Sequence, residues 1–345
     1  MSEEKQKTSL AVSNDFEPVT YDEQYILMVN ALKKYFPIKD GLIARTVGYV
    51  KAVDGVTFNL RRGTTMGLVG ETGCGKTTTG RTILRLAGEK TGGQVLFNGR
   101  EVYDLSAREM RALRPKMQII FQDPFSSLSP RLPVGEIIVE AVREHNLVPA
   151  AEYEDYLDNI MDQCGLQPFH KDRYPHELSG GQRQHLCIAR ALALNPEFVV
   201  CDEPVSALDV SIQAQIINTF EDLQEKLGIA YLFIAHDLLV VQHMSRRIAV
   251  MYLGKIVEIG PSADIIEKPI HPYTESLISA IPMPDPEMAR HKHRIILEGD
   301  VPSPLRMPKG CPFRTRCRYA TKACEESCPE LKEVEPGRFV ACHNR

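Results

Sequence analysis

The sequence TTMGLVGETGCGKTTTGRTILRL, residues 64–86, joins an apolar stretch to a helical one through a glycine-rich turn. Its centre, GETGCGKT at 70–77, matches the phosphate-loop pattern G-x-x-x-x-G-K-[ST] at every fixed position. Glycines let successive backbone amides point at phosphate oxygens, and the helix N-terminus adds partial positive charge. The segment therefore predicts an α/β fold with a nucleotide bound between a strand and a helix.

We expect Lys76 to neutralise the β- and γ-phosphates and Thr77 to hold Mg²⁺. The predicted phosphate contacts are the consecutive loop residues Gly70, Glu71, Thr72, Gly73, Cys74, Gly75, Lys76, Thr77 and Thr78.

Apolar stretches alternate with helical patterns on both sides of the loop, which favours a parallel sheet covered on both faces. Residues 125–177 carry a helical pattern only and predict an inserted helical subdomain. We predict a polar lead-in over 1–24, an ATPase domain over 25–260 and a proline-rich C-terminal domain over 261–345. No apolar run approaches the ~18 residues that cross a bilayer, and the net charge of −4 does not suggest a non-specific nucleic-acid binder.

Two carboxylates follow the apolar strand pattern FVVC at 198–201. Ligands of open α/β sheets bind at the carboxyl ends of the strands. We expect Asp202 to hold the metal and Glu203 to polarise an attacking water molecule. This pair predicts hydrolysis rather than transfer of a phosphoryl group to a metabolite.

A second candidate anion site, LSGGQ at 178–182, also opens a predicted helix. Its bare amides and hydroxyl could serve the same nucleotide, or a nucleotide held by another subunit. The spacing is compatible with both arrangements.

LSGGQ between a phosphate loop and a strand-end Asp-Glu pair resembles the ATP-binding-cassette (ABC) superfamily. The resemblance implies a mostly parallel core with an antiparallel β subdomain and a helical subdomain. It also implies a head-to-tail dimer in which the signature reaches the ATP of the facing subunit. The roles implied by position are adenine stacking by Tyr35, metal and water contact by Gln122, γ-phosphate contact by His236, signature contacts by Ser179, Gly180, Gly181 and Gln182, and dimer communication by Ser206 to Asp209.

Segments such as VKAVDGVTF (50–58) and HPYTESLISAIP (271–282) resemble the ATP-binding subunits of oligopeptide and dipeptide importers. The segment VGYVKAVDG, residues 47–55, favours the F-type member of the two ATP-binding subunits, D-type and F-type, of these importers. The resemblance implies a D-type ATPase as partner, two transmembrane permease subunits, indirect contact with an extracytoplasmic peptide-binding protein, and no nucleic acid. It places the chain peripherally on the cytoplasmic face of the inner membrane. Nickel importers share the pattern.

Five cysteines lie in the last 35 residues with the spacing C-x₅-C-x₆-C-x₃-C-x₁₃-C. Clustered cysteines in a cytosolic chain favour metal binding, although this spacing matches neither a zinc knuckle nor a ferredoxin run. Arginines at 314, 316 and 318 lie among them and would favour thiolates. The importer pattern GCxFxxRC…C…ACH implies a [4Fe–4S] cluster on Cys311, Cys317, Cys324 and Cys342, and leaves Cys328 as an extra thiol. Zinc, or reduced thiols that bind no metal, are the alternatives.

The main alternative function is a soluble ABC ATPase that acts on nucleic acid or ribosomes. A single phosphate loop, the absence of sustained heptads and the slight negative charge disfavour it. A P-loop metabolite kinase would leave LSGGQ unexplained.

Overall fold

The computed structural model describes residues 20–40, 45–206, 208–281 and 295–345, so most of the predicted lead-in lies outside the described residues. The strands are β1 (Tyr25–Asp40), β2 (Arg45–Arg61), β3 (Thr65–Val69), β4 (Gly92–Phe97), β5 (Arg100–Glu101), β6 (Met117–Ile120), β7 (Phe198–Asp202), β8 (Ala230–Ile234), β9 (Arg247–Tyr252), β10 (Lys255–Pro261), β11 (Lys332–Glu335) and β12 (Arg338–Val340). The α-helices are α1 (Lys76–Ile83), α2 (Ala107–Leu113), α3 (Pro124–Ser127), α4 (Val134–Glu144), α5 (Tyr153–Gln163), α6 (Gly180–Leu192), α7 (Val210–Leu227), α8 (Leu238–Met244), α9 (Ser262–Glu267), α10 (Pro272–Ser279) and α11 (Lys322–Glu326).

The strands form two sheets. The larger sheet has the order β11-β12-β10-β9-β3-β8-β7-β6, and its pairs from β9 to β6 are parallel. Every residue of β3, β7 and β8 is buried, as expected for strands covered on both faces. The smaller sheet, β2-β1-β4-β5, is antiparallel. The predicted α/β fold with a parallel core and an antiparallel β subdomain is confirmed.

A helical subdomain lies between β6 and α6. It contains α3, α4 and α5 with short 3₁₀ turns, and no strand is assigned from 121 to 197. In α4 the residues Val134, Ile137, Ile138 and Val142 recur at helical spacing and are buried. They belong to the same apolar core as Leu157 and Leu186, so this stripe fastens the subdomain to the main domain.

The C-terminal segment shares the larger sheet of the core. Strand β12 pairs with β10 through Glu258↔Val340 and Ile259↔Phe339, and β11 pairs with β12. Glu258, fully buried, accepts hydrogen bonds from the backbone amides of Ile270 (3.0 Å) and His271 (2.9 Å) and forms an ion pair with Arg338 at 3.0 Å. The sequence predicts a tail of low regular structure beyond 261, whereas this segment extends the core sheet and is fixed to it by a buried charge pair.

Replacement of Arg338 by Met should strongly destabilise the fold, because it leaves the buried Glu258 carboxylate without its cation. We expect the free energy of unfolding in urea to fall by about 3 kcal/mol, the lower end for a broken buried pair, since two backbone amides still bond the carboxylate. Arg100→Met removes an exposed ion pair with Glu109 and is the control, with an expected loss below about 1 kcal/mol. Equal losses in the two variants would contradict a structural role for the buried pair.

Candidate nucleotide-binding site

The phosphate loop runs from the end of β3 to the start of α1 and is wedged between two strands. Gly70 and Gly75 have φ of 152° and 110°. A Cβ at Gly70 would lie 2.2 Å from the carbonyl oxygen of Met251 in β9, and one at Gly75 would lie 2.1 Å from that of Ala52 in β2. Only glycine fits at these two positions, which is why the backbone can curl into an anion-binding loop.

Lys76 is buried and its side chain turns back across the loop. Its Nζ donates hydrogen bonds to the carbonyl oxygens of Gly70 (2.8 Å) and Glu71 (3.2 Å). The loop borders a cavity of about 230 Å³. The cavity is lined by residues 50–52, 72–78, Gln122, Glu203, Leu253, Gly254 and Pro304. The loop amides, the ammonium group and the adjoining cavity fit a nucleoside triphosphate.

Thr77 and Asp202 form the pair that the sequence assigns to Mg²⁺. Thr77 Oγ1 donates to Asp202 Oδ1 at 2.7 Å. Asp202 Oδ2 is buried and has no hydrogen-bond partner among the described residues, although Arg81 Nη2 approaches it to 3.9 Å. Burial raises the pKa of Asp202, while the Thr77 hydrogen bond and the Arg81 charge counteract that rise. A buried carboxylate oxygen without a hydrogen-bond partner is unfavourable, and a divalent cation would pair with it. The Thr77 hydroxyl and the Asp202 carboxylate are oxygen ligands of the kind that Mg²⁺ prefers.

Two side chains, those of Gln122 and His236, approach one oxygen of Glu203. Gln122 Nε2 donates to Glu203 Oε2 at 2.9 Å, and His236 Nδ1 lies 3.4 Å from the same atom. The three residues follow β6, β7 and β8, whose carboxyl ends share one edge of the sheet. Glu203 has φ of 49°, a strained conformation for a residue other than glycine, and such strain concentrates at functional sites. This arrangement can orient a water molecule and accept its proton.

Tyr35, to which the resemblance assigns adenine stacking, lies on β1 and contacts residues of β2. Its hydroxyl donates to Asp54 Oδ1, and Lys51 Nζ lies 5.4 Å from its ring centroid. Among the described residues the cavity lining includes 50–52 of β2 but not Tyr35. The reason is topological, because β2 is the edge strand against the phosphate loop and β1, which carries Tyr35, is one strand further away. The segment VGYVKAVDG, residues 47–55, contains residues 50–52, which line the cavity.

The signature residues lie at the start of α6, away from this cavity. Ser179 Oγ accepts from the amide of Gln182 at 3.3 Å, and Gln182 Oε1 accepts from the amide of Ser179 at 2.9 Å. Ser179 and Gly180 are exposed, and neither lines the cavity formed by the described residues around Lys76. Asp209 caps α7 and is also exposed, and Ala207 lies outside the described residues. The signature residues therefore lie apart from the cavity around Lys76.

The cysteine group does not have the predicted metal geometry. Among the described residues, which include all five C-terminal cysteines, no three Cys, His, Asp or Glu side chains are arranged to hold a metal ion. The arginines expected to favour thiolates form ion pairs with carboxylates instead. The pairs are Arg314–Glu325, Arg316–Glu71 and Arg318–Glu275. Burial raises the pKa of Cys311 to about 11. The iron–sulfur and zinc predictions for Cys311, Cys317, Cys324 and Cys342 are not supported.

Two family models match this chain. The model described as ABC transporter covers residues 53–206, and the model of the oligopeptide/dipeptide transporter C-terminal region covers 257–324. The oligopeptide transport ATP-binding protein AppF of Bacillus subtilis (strain 168) is 50% identical over 93% of this chain and 98% of its own length. The putative oligopeptide transport ATP-binding protein YkfD of the same organism is 52% identical over 92% and 95%.

Two solved structures share the fold. The first is cbiO1 from Clostridium perfringens, part of the ABC transporter complex cbiONQ, with a TM-score of 0.61 and 27% identity over 72% of this chain and 93% of that one. The second is the ATP-binding cassette MJ0796 in a dimeric post-hydrolysis state bound to ADP and Pi, with a TM-score of 0.61 and 25% identity over 68% and 98%.

The chain belongs to the ABC transporter family of ATP-binding proteins. Within that family it is similar over nearly its full length to oligopeptide transport ATP-binding proteins, and the resemblance stated from its motifs is confirmed. It is an ATPase. None of its described helices combines the length and the apolar character needed to span a membrane.

Replacement of Glu203 by Gln should leave ATP binding intact and slow hydrolysis, because the amide cannot accept the proton of the attacking water. We expect a fall in turnover of at least ~10²-fold, the low end for a lost general base. Glu197→Gln is the control. Glu197 lies just before the first residue of β7, at the end of the strand opposite Glu203, and pairs with Lys116. Turnover that is unchanged in Glu203→Gln would remove Glu203 from this role.

Proposed function

We propose that this chain is the ATP-hydrolysing subunit of an importer of di- and oligopeptides. The observation that carries the proposal is the presence, in one chain, of a phosphate loop with its hydrolytic cluster and of a separate, exposed signature at the start of α6. The similarity to oligopeptide transport ATP-binding proteins over 92–93% of the chain supports the peptide class. The same similarity disfavours the alternative of a soluble cassette that acts on nucleic acid or ribosomes.

In this proposal Lys76 and the loop amides bind the phosphates of ATP, and Thr77, Asp202 and Gln122 hold the metal. Mg²⁺, when bound there, offsets phosphate charge and helps to orient the triphosphate. Glu203 takes the proton of the attacking water at its carboxylate. Gln122 fixes that carboxylate through the 2.9 Å hydrogen bond, and His236, 3.4 Å from the same oxygen, contacts the γ-phosphate.

Two copies of the cassette close around ATP in this proposal, and each signature completes the site of the other subunit. Binding of ATP favours the closed dimer, and hydrolysis opens it. The second subunit is a D-type ATPase. The helical subdomain and Gln122 pass the motion to two transmembrane permease subunits, which hold the chain at the cytoplasmic face of the inner membrane and receive peptide from an extracytoplasmic binding protein. Iron–sulfur and zinc do not enter this proposal, because no three Cys, His, Asp or Glu side chains among the described residues are arranged to hold such a centre.

A charged residue introduced at position 179 tests whether the two subunits share each nucleotide site. When this chain with Glu203→Gln, which retains ATP, is mixed with the D-type ATPase, we expect an ATP-dependent heterodimer by light scattering. The additional change Ser179→Arg should abolish that heterodimer while each chain still binds ATP. Ser106→Arg is a matched control, because Ser106 caps α2 through the same capping box and the same 3.3 Å contact. Each substitution loses one N-cap, roughly 1 kcal/mol of stability. A dimer that survives Ser179→Arg would contradict the shared site.

Peptide import is tested in the cell. Deletion of the gene should reduce uptake of labelled di- and oligopeptides but not of free amino acids, and the wild-type gene should restore uptake whereas Glu203→Gln should not. Loss of nickel accumulation with normal peptide uptake would assign a different cargo. Normal uptake of both would contradict the importer function.

A further inference from the structure

The C-terminal region reaches into the phosphate loop through Arg316. Arg316 Nη1 and Nη2 donate to the two carboxylate oxygens of Glu71 at 2.9 and 3.1 Å, which makes a bidentate ion pair. The Arg316 side chain is 9% exposed and that of Glu71 27%. Glu71 is the second residue of the loop, so an arginine from beyond residue 300 is bonded to the loop itself.

Tyr273 holds the same loop residue through its backbone. The amide of Glu71 donates to Tyr273 Oη at 2.8 Å, and Tyr273 is fully buried. The carbonyl oxygen of Glu71 accepts from Lys76 Nζ. Both the side chain and the amide of Glu71 are therefore held from the C-terminal side, and its carbonyl is bonded to the lysine that we assign to the phosphates.

A packed aromatic group supports these contacts. Tyr273 lies 4.7 Å from Tyr252 of β9 and 5.5 Å from Phe313, measured between ring centroids, and Phe313 is buried three residues before Arg316. On the open side of the loop, Pro304 lines the nucleotide cavity. Rigid packing of this kind fixes the direction from which Arg316 approaches Glu71.

The charges explain what the contact does. Glu71 adds a carboxylate to a loop that binds an anion, and an unpaired carboxylate there repels the phosphates. Arg316 offsets that charge and turns the carboxylate toward the C-terminal region. Neighbouring Arg318 forms an exposed ion pair with Glu275 and does not contact the loop, so this role belongs to one arginine of the segment.

We propose that Arg316 and Tyr273 are positioning residues for the phosphate loop, and that the C-terminal region sets the affinity of the site for ATP through Glu71. The inference rests on the proposed binding of ATP by this loop. It makes the C-terminal region a component of the nucleotide site.

The test is equilibrium binding of ATP with Mg²⁺ to the full chain, measured by calorimetry. Arg316→Met should weaken binding roughly tenfold, because it leaves the Glu71 carboxylate unpaired beside the phosphates. Because the arginine acts through Glu71, the same change made in the Glu71→Gln background should weaken binding less than about threefold, as no unpaired carboxylate remains. Arg318→Met, the matched control, should bind ATP like the wild type. Tyr273→Phe, which keeps the ring and removes the hydroxyl, should weaken binding in the same direction as Arg316→Met.

A purely structural role for Arg316 would weaken binding equally in both backgrounds, and that result overturns the inference, as does unchanged binding in Arg316→Met. If Arg316→Met does not fold, Arg316→Lys keeps the charge without the bidentate contact and is compared across the same two backgrounds. Lys76→Ala separates the two proposals. Loss of ATP binding in Lys76→Ala together with no effect of Arg316→Met defeats only this inference, whereas retained binding in Lys76→Ala defeats the proposed loop function itself.

Discussion

The site depends on four parallel strands that end at one edge of a single sheet. The phosphate loop follows β3, and Gln122, Glu203 and His236 follow the neighbouring strands β6, β7 and β8. Parallel ladders fix the register of adjacent strands, so side chains far apart in sequence converge where the strands end. The fully buried faces of β3, β7 and β8 hold this edge in place.

The central site could be predicted from the sequence because each of its parts is a local signal. A glycine-rich loop after an apolar strand, or a carboxylate at a strand end, carries its physical reason within about ten residues. Asp202, Thr77, Glu203 and Gln122 therefore lie together as their positions indicated. Their chemical roles stay predictions, since geometry shows what the side chains touch and kinetics shows what they do.

The sequence does not show contacts between residues far apart in the chain. The role of Tyr35 stays a prediction, and its place on β1, one strand behind the edge strand β2, is a matter of sheet order that spacing does not reveal. The arginines among the cysteines were expected to act on thiols, yet Arg316 bonds a residue 245 positions earlier. Pairing at that separation follows only from the completed topology.

Hydrogen bonds on both sides of Glu203 hold its backbone in a strained conformation. Its backbone is held in the left-handed region because its amide donates to Ile234 O at 2.8 Å while its carbonyl accepts from Ser206 Oγ at 3.1 Å. Strained conformations of this kind persist only where the surroundings over-determine them. Ser206 begins the segment that leads to Asp209, which is exposed as a dimer contact requires. In the proposed dimer, contact of the second subunit with Asp209 bears on the segment whose Ser206 holds the Glu203 carbonyl. Arg316 and Tyr273 bond Glu71 of the phosphate loop, so contacts from outside the loop hold both Glu71 and Glu203.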